Sequence, residues 1–365
     1  MAAAREGKTP RELGFRMPAE WERHEATWLA WPHNREDWPG KFGPIPWLYA
    51  EIVRLLVAHE RVHIVVEDAA AEKRVQGILQ RAGADLAQVD FHRWLTDRVW
   101  TRDSGPIFVR DRKGNVAVTN WRFNAWAKYD DWHNDDKLPG HAASLLRLLQ
   151  WQPMVEAGGR ARRVVLEGGS IDTDGQGTLL TTEECLLSGV QQRNPGVGRA
   201  QLERIFSDYL GIDRVIWLGR GIAGDDTHGH VDDITRFVGP GTVVTAVEPD
   251  ASDPNHEPLV ENLVRLKAAR TAEGKQLAIV ELPLPHPVIF RGQRLPASYA
   301  NFYIANGVVL MPTFHDPNDR VALNTLAEVF PDREVIGIHA VDLVWGLGTL
   351  HCMTQQQPAG IASKA

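Results

Sequence analysis

The stretch "PWLYAEIVRLLVAHERVHIVV", residues 46–66, decides how the rest of the chain is read. Residues 46–59 space their apolar side chains as one face of a helix, and residues 61–66 form a β-branched run suited to a strand. The same order recurs along the chain. Helical patterns near 138–150, 198–210, 257–271 and 316–330 are followed by the strand-like runs "RRVVLEGG" (162–169), "DRVIWLG" (213–219), "QLAIVELP" (276–283) and "REVIGIH" (333–339). Further strands such as "NFYIANGVVLMP" (301–312) lie between them. Five helix-then-strand passages suggest a repeated αβ unit, although a doubly wound α/β sheet predicts the same alternation. No Pro/Gly/Ser-rich linker divides the chain, so residues 1–365 read as a single domain, with 1–15 flexible and 359–365 a tail.

Composition narrows the function. The 365 residues are 43% hydrophobic and 24% charged, an ordinary soluble balance. No run approaches the ~18 apolar residues of a membrane helix, and the N-terminus lacks a secretory apolar core, so the expected setting is cytoplasmic. The two cysteines, Cys185 and Cys352, are then free thiols. A net charge of −7 disfavours a nucleic-acid surface and suits a small cationic substrate.

Four segments set polar groups beside glycines. In "VWTRDSGPIFVRD" (99–111), Asp103 precedes a Ser-Gly-Pro turn and a strand from Ile107 to Val109; alone, it reads as a turn former. In "VVLEGGSIDTDGQGTLLTTEECLLS" (164–188), Glu167 ends an apolar strand ahead of two glycines, which suits a close-packed carboxylate or an exposed turn equally. In "GDDTHGHVDDITRFV" (224–238), a strand entered at about His228 would put His228, His230 and Asp232 on one face, as a zinc half-site or an acid/base pair. In "GLGTLHCMTQQQP" (346–358), Cys352 stands behind Gly346 and Gly348 among His351, Thr354 and three glutamines, poor company for an inert core thiol. Cys185, beside two glutamates, reads as structural.

Taken in order, "MPAEWERHEATWLAWPHNREDW" (17–38), "WTRDSGP" (100–106), "NWRFNAWAKY" (120–129), "LEGGSIDTDGQGTLLTTEECLLS" (166–188), "RNP" (193–195), "DTHGHVDD" (226–233) and "GLGTLHCMTQQQP" (346–358) resemble the agmatine deiminases, relatives of the bacterial peptidylarginine deiminases. The resemblance implies a five-bladed α/β propeller, the pentein fold, with pseudo-fivefold symmetry and a site on the central axis. It implies neither a metal nor an organic cofactor, and a chain that assembles as a homodimer or larger homo-oligomer.

Carried over by position, the resemblance makes Cys352 the nucleophile, His230 the general acid/base, Asp103 and Asp232 the carboxylates that grip the guanidinium, and Glu167 the acid that orients the histidine. Each type suits the chemistry. A guanidinium is planar and a poor electrophile, so paired carboxylates must hold its carbon against the sulfur. Gly348 would let substrate approach closely, and Asp226 with Trp100 and Trp126 would receive a distal ammonium, unless Asp226 merely caps the Thr227 and His228 amides. The expected reaction is hydrolysis of agmatine to N-carbamoylputrescine and ammonia. Alternatives are another guanidine or peptidyl-arginine as substrate, a zinc hydrolase built on His228, His230 and Asp232, and a catalytically silent binding protein. Two departures, "TDRVW" before the Arg-Asp pair and Asp233 where many members carry Asn, bear on the substrate's tail.

Overall fold

The computed structural model describes residues 7–360 and is a mixed α/β structure built on five sheets of three or four strands. Four of the five run an antiparallel pair, then a helical crossover, then a strand parallel to the second. Ile107–Asp111 and Val116–Thr119 are joined by Leu138–Leu145 to Leu149–Trp151; Asp172–Thr173 and Thr178–Thr182 by Arg199–Leu210 to Arg214–Leu218. Thr235–Gly239 and Thr242–Val247 lead through His256–Ala268 to Ala278–Pro283, and Tyr303–Ala305 and Val308–Thr313 through Asn318–Val329 to Glu334–His339. In the fifth sheet the chain's ends meet. Gln355–Pro358 pairs antiparallel with His24–Ala30, and Arg61–Val66 and Val89–Arg93 extend it in parallel.

The helix at Ile45–Leu56 shows why the opening stretch folds as it does. Ile45, Tyr49, Ile52, Val53 and Leu56 fall on one stripe and are buried, while Arg54 stays partly exposed. Each such aliphatic side chain stabilises by about 1.5–3 kcal/mol through burial. Among the described residues, no helix is long and apolar enough to cross a membrane.

Three expectations need correcting. The strand parallel to Val116–Thr119 is Leu149–Trp151, because the preceding helix stops at Leu145; Arg160–Arg163 instead pairs with Met154–Ala157 in a separate hairpin. The helix Ala69–Ala82 was not anticipated, since only Ala71, Val75 and Leu79 are buried along it and its apolar stripe is thin. The N-terminal segment is tied down from Thr9 onward: Arg11 pairs with Asp213 at 2.5 Å and Phe15 pairs with Asp111. The remainder of that expected flexible stretch, 1–6, lies outside the described residues, as does 361–365 of the expected tail. Ala359 is buried and donates its N–H to Arg23 O at 2.8 Å.

Candidate active site

Cys352, Asp103, Glu167, His230 and Asp232 are all buried and lie in short segments that lead into the strands Gln355–Pro358, Ile107–Asp111, Asp172–Thr173 and Thr235–Gly239. The turns are stitched to one another. Thr101–Ser104, which carries Asp103, donates Arg102 N to Cys352 O at 3.0 Å and Thr101 Oγ1 to Met353 O at 3.0 Å. The glutamine row behind Cys352 anchors this seam: Gln355 Nε2 donates to Pro106 O at 2.7 Å, Gln356 Oε1 accepts from Arg102 at 2.6 Å, and Gln357 Oε1 accepts from Trp28 at 3.0 Å.

Asp103 is no turn former. Its Oδ1 accepts from Gly169 N at 3.0 Å and its Oδ2 from Trp126 Nε1 at 2.8 Å. Trp126 is delivered by three successive residues, Ala125, Trp126 and Ala127, with φ between 48° and 58°. Such left-handed non-glycine backbone costs about 1–3 kcal/mol per residue and clusters where geometry serves a site. Gly169 lies where a side chain could not: a Cβ there would stand 2.6 Å from His230 Nδ1 and 2.8 Å from Asp103 Oδ1.

Glu167 does not end a strand; it precedes the turn Gly168–Ser170 and is fully buried. The Arg193 Nε donates to both its oxygens, at 3.1 and 3.3 Å, and Arg193 Nη2 reaches Thr227 O at 2.5 Å. Burial alone would raise the Glu167 carboxyl, but Arg193 and His230 reverse this and hold it below the usual range. Asn194 locks the neighbouring chain by exchanging bonds of 2.9 and 2.8 Å with Val165.

His228 and His230 do not share a strand face. His228 is a left-handed turn residue, φ 65°, that turns toward Ser188, and the strand begins only at Thr235. Asp225 shapes the turn, accepting from Thr227 N, Gly229 N and His230 N at 2.8, 2.7 and 3.0 Å; the capping considered for Asp226 is done by its neighbour. The zinc run His228, His230, Asp232 therefore does not converge. Among the described residues, Glu167, Cys185 and His230 do bring ligand atoms within 4.8 Å of one another. Both oxygens of that Glu167 already accept from Arg193 Nε.

The His230 ring faces Glu167 Oε2 with Nε2 at 3.6 Å, and Asp103 Oδ1 and Asp232 Oδ1 with Nδ1 at 3.8 and 3.9 Å. These are ion-pair distances, too long for hydrogen bonds. Burial lowers the imidazole, but Asp103, then Cys185 and Glu167, overcome it and hold the ring well above its ordinary value. Asp232 Oδ2 takes His351 Nδ1 at 2.7 Å, and His351 Nε2 rests on Glu20 Oε2 at 2.7 Å, itself paired with Arg236 at 2.9 Å. Burial raises Asp232, but His351 outweighs that and keeps it below its ordinary value. Burial, reinforced by Asp232, Asp233 and Asp103, pushes the Cys352 thiol well up. Burial likewise raises Asp103 to about 6.

A cavity of about 380 Å³ opens onto Cys352 and Asp103, walled by Trp100, Trp126 and Gly348. Gly348 serves packing as much as access: a Cβ there would lie 2.8 Å from the Trp100 ring. Asp226 also lines the cavity, but one oxygen is paired with Lys128 and the other accepts from Tyr129 OH at 2.7 Å. Asp37, which sequence reasoning missed, lines the same cavity with one oxygen on Arg98 at 2.9 Å and the other buried without a partner. Burial raises its carboxyl to about 7. Arg193, His351 and Glu20 were visible only as members of motifs, with no local pattern to reveal their partners. Cys185 was read as structural; it packs beside His230 and Glu167.

Buried carboxylates around one thiol and one imidazole, with room for a planar cation, define a hydrolytic site for amidine or guanidine groups. Residues 16–358 match the Porphyromonas-type peptidyl-arginine deiminase family, and the chain belongs to it as an enzyme of agmatine deiminase-like type that hydrolyses C–N bonds of linear amidines. It is 37% identical to an agmatine deiminase of Pseudomonas aeruginosa (strain LESB58) over 374 residues, 96% of this chain and 97% of that one. Among solved structures it is similar to the agmatine deiminase of Enterococcus faecalis, with a TM-score of 0.89 and 32% identity over 98% of this chain and 100% of that one. It is also similar to a cysteine-to-serine agmatine deiminase of C. jejuni with substrate bound, with a TM-score of 0.82 and 27% identity over 95% and 97% of the two chains.

Proposed function

We propose that the protein hydrolyses agmatine to N-carbamoylputrescine and ammonia through a covalent S-alkylthiouronium on Cys352, the five sheets being arranged around a central axis on which that site lies. One observation carries this reading: Asp232 Oδ1, an acceptor, is buried without a hydrogen-bond partner beside the Cys352 sulfur. Buried polar atoms left open are costly unless a ligand completes them, and a guanidinium brings a planar fork of donors.

Cation binding between Asp103 and Asp232 offsets the carboxylate charge that keeps the thiol protonated, so the thiol releases its proton to solvent through the cavity that it lines. The thiolate adds to the guanidinium carbon, and the His230 imidazolium protonates the departing nitrogen, which leaves as ammonia. His230, now neutral, takes a proton from water as it attacks the thiouronium carbon. Collapse of that adduct breaks the C–S bond and passes the hydroxyl proton to the departing sulfur, which releases the urea product and restores thiol and imidazolium. The names of the P. aeruginosa and E. faecalis relatives support agmatine as substrate. Ammonia release should be measured against agmatine, arginine, a peptidyl-arginine and a neutral alkylguanidine. The highest kcat/KM is expected for agmatine, and faster citrulline formation from arginine would overturn the assignment.

The distal ammonium is read by Asp37, one oxygen of which has no partner, rather than by Asp226, whose two oxygens are engaged by Lys128 and Tyr129. Asp37→Asn should raise KM for agmatine about tenfold, the loss of roughly one charge-assisted bond, and barely change turnover of the alkylguanidine. Since Asp37 ionises at about 7 in the free site, agmatine affinity should weaken as pH falls below that value. Equal losses on both substrates would show that Asp37 acts through Arg98 and the fold instead.

A further inference from the structure

We propose that Asn301 is a further catalytic residue, whose side-chain amide donates to the Cys352 sulfur and stabilises the thiolate when it forms. The inference rests on Cys352 being the nucleophile.

The fold points to this position first. Four sheets are entered through turns carrying Asp103, Glu167, His230 with Asp232, and Cys352, which precede the strands beginning at Ile107, Asp172, Thr235 and Gln355. The remaining sheet begins at Tyr303, and of the two buried polar residues at its entrance, Ser298 and Asn301, Asn301 is the one that reaches the Cys352 sulfur. By position, it is the fifth unit's contribution to the same site.

The amide's orientation is determined by its neighbours. Asn301 Oδ1 lies 3.1 Å from His351 N and 2.7 Å from Thr349 Oγ1. A backbone N–H can only donate, so the atom facing it is the oxygen, and the NH₂ group points the other way. There it meets Asp233 Oδ1 at 2.9 Å and Cys352 Sγ at 3.2 Å, one acceptor for each hydrogen.

The sulfur needs such a donor. It is buried among Asp103, Asp232 and Asp233, all of which oppose a negative charge on it. Its other side-chain contacts are to oxygens, Asp232 Oδ2 at 3.9 Å and Asn301 Oδ1 at 3.5 Å. Among the described residues, no other side-chain N–H donates to it. Burial with the Asp232 and Asp225 charges pushes the Asp233 carboxyl well up.

The test is the pH dependence of Cys352 alkylation by iodoacetamide, mapped by mass spectrometry, in the full chain and its Asn301→Ala and Asn301→Asp variants. Asn301→Asp is isosteric and keeps an oxygen for His351 N and Thr349, so it preserves the fold if the alanine variant does not. The midpoint should rise by about one pH unit or more in either, making alkylation below it about tenfold slower, while the plateau at high pH stays within about threefold. Turnover of agmatine should fall in parallel with KM little changed. An unshifted midpoint in both variants would overturn the role of Asn301. Agmatine turnover that survives alkylation of wild-type Cys352 would instead overturn the nucleophile assignment.

Discussion

Cys352→Ser is expected to lower ammonia release from agmatine by at least about 10⁴-fold, the scale seen when a nucleophile is removed from a concerted site. Serine keeps the shape, so the loss isolates the chemistry of sulfur. A hydroxyl ionises several units above a thiol, and the carboxylates that already oppose a thiolate would oppose an alkoxide more strongly. Quenching wild-type turnover in acid should trap a mass adduct on the peptide containing Cys352, and the serine variant should show none. Cys185→Ser, by contrast, should retain most activity, because Cys185 packs behind the His230 ring and does not line the cavity. Full turnover by Cys352→Ser would end the covalent mechanism.

Asp103→Asn is expected to reduce kcat/KM by at least about 100-fold, since it removes a charge-assisted hydrogen bond that also places the guanidinium carbon. It should do so without lowering stability. Folding raises this carboxyl from 3.8 to about 6, chiefly by burial. A raised acid contributes stability below its unfolded value and loses it as pH climbs through the folded one. Wild type therefore carries the full cost of the buried charge above about pH 6, and the asparagine variant does not. Its melting temperature relative to wild type should rise between about pH 4 and 6 and stay higher beyond. Over the same window wild-type kcat/KM should increase with pH as Asp103 ionises. Asp232→Asn gives the opposite stability result with similar loss of activity: folding lowers the Asp232 carboxyl through His351, so stability held above its unfolded value disappears and His351 loses its charged partner. Only few-fold losses of kcat/KM in both variants would mean that neither carboxylate holds the substrate.

Much of the site was legible because its chemistry is written in short motifs. Read alone, Asp103 looked like a turn former and Glu167 suited an exposed turn equally; the family resemblance of the ordered motifs singled out Asp103, Glu167, His230, Asp232 and Cys352, and the structure brings all five together. What misled was local geometry. Two-residue spacing made a strand of His228–Asp232, yet Asp225 gathers three backbone amides there and closes the chain into a turn. The same spacing argument could not tell Asp225 from Asp226, since both are loop aspartates and only the path of the backbone decides which one faces inward.

The sequence by itself determined the helix-then-strand order and the residue types the reaction needs, because both depend on periodicity and chemistry within a few neighbours. The tertiary structure alone decided who holds those residues. Arg193 on Glu167, His351 between Asp232 and Glu20, and Asn301 on the sulfur pair groups from 26 to 331 positions apart, and one oxygen of Asp37 is left buried without a partner. No local pattern encodes such partners. They meet only when Gln355–Pro358 pairs with His24–Ala30 and the last strand of the chain closes against the first long one.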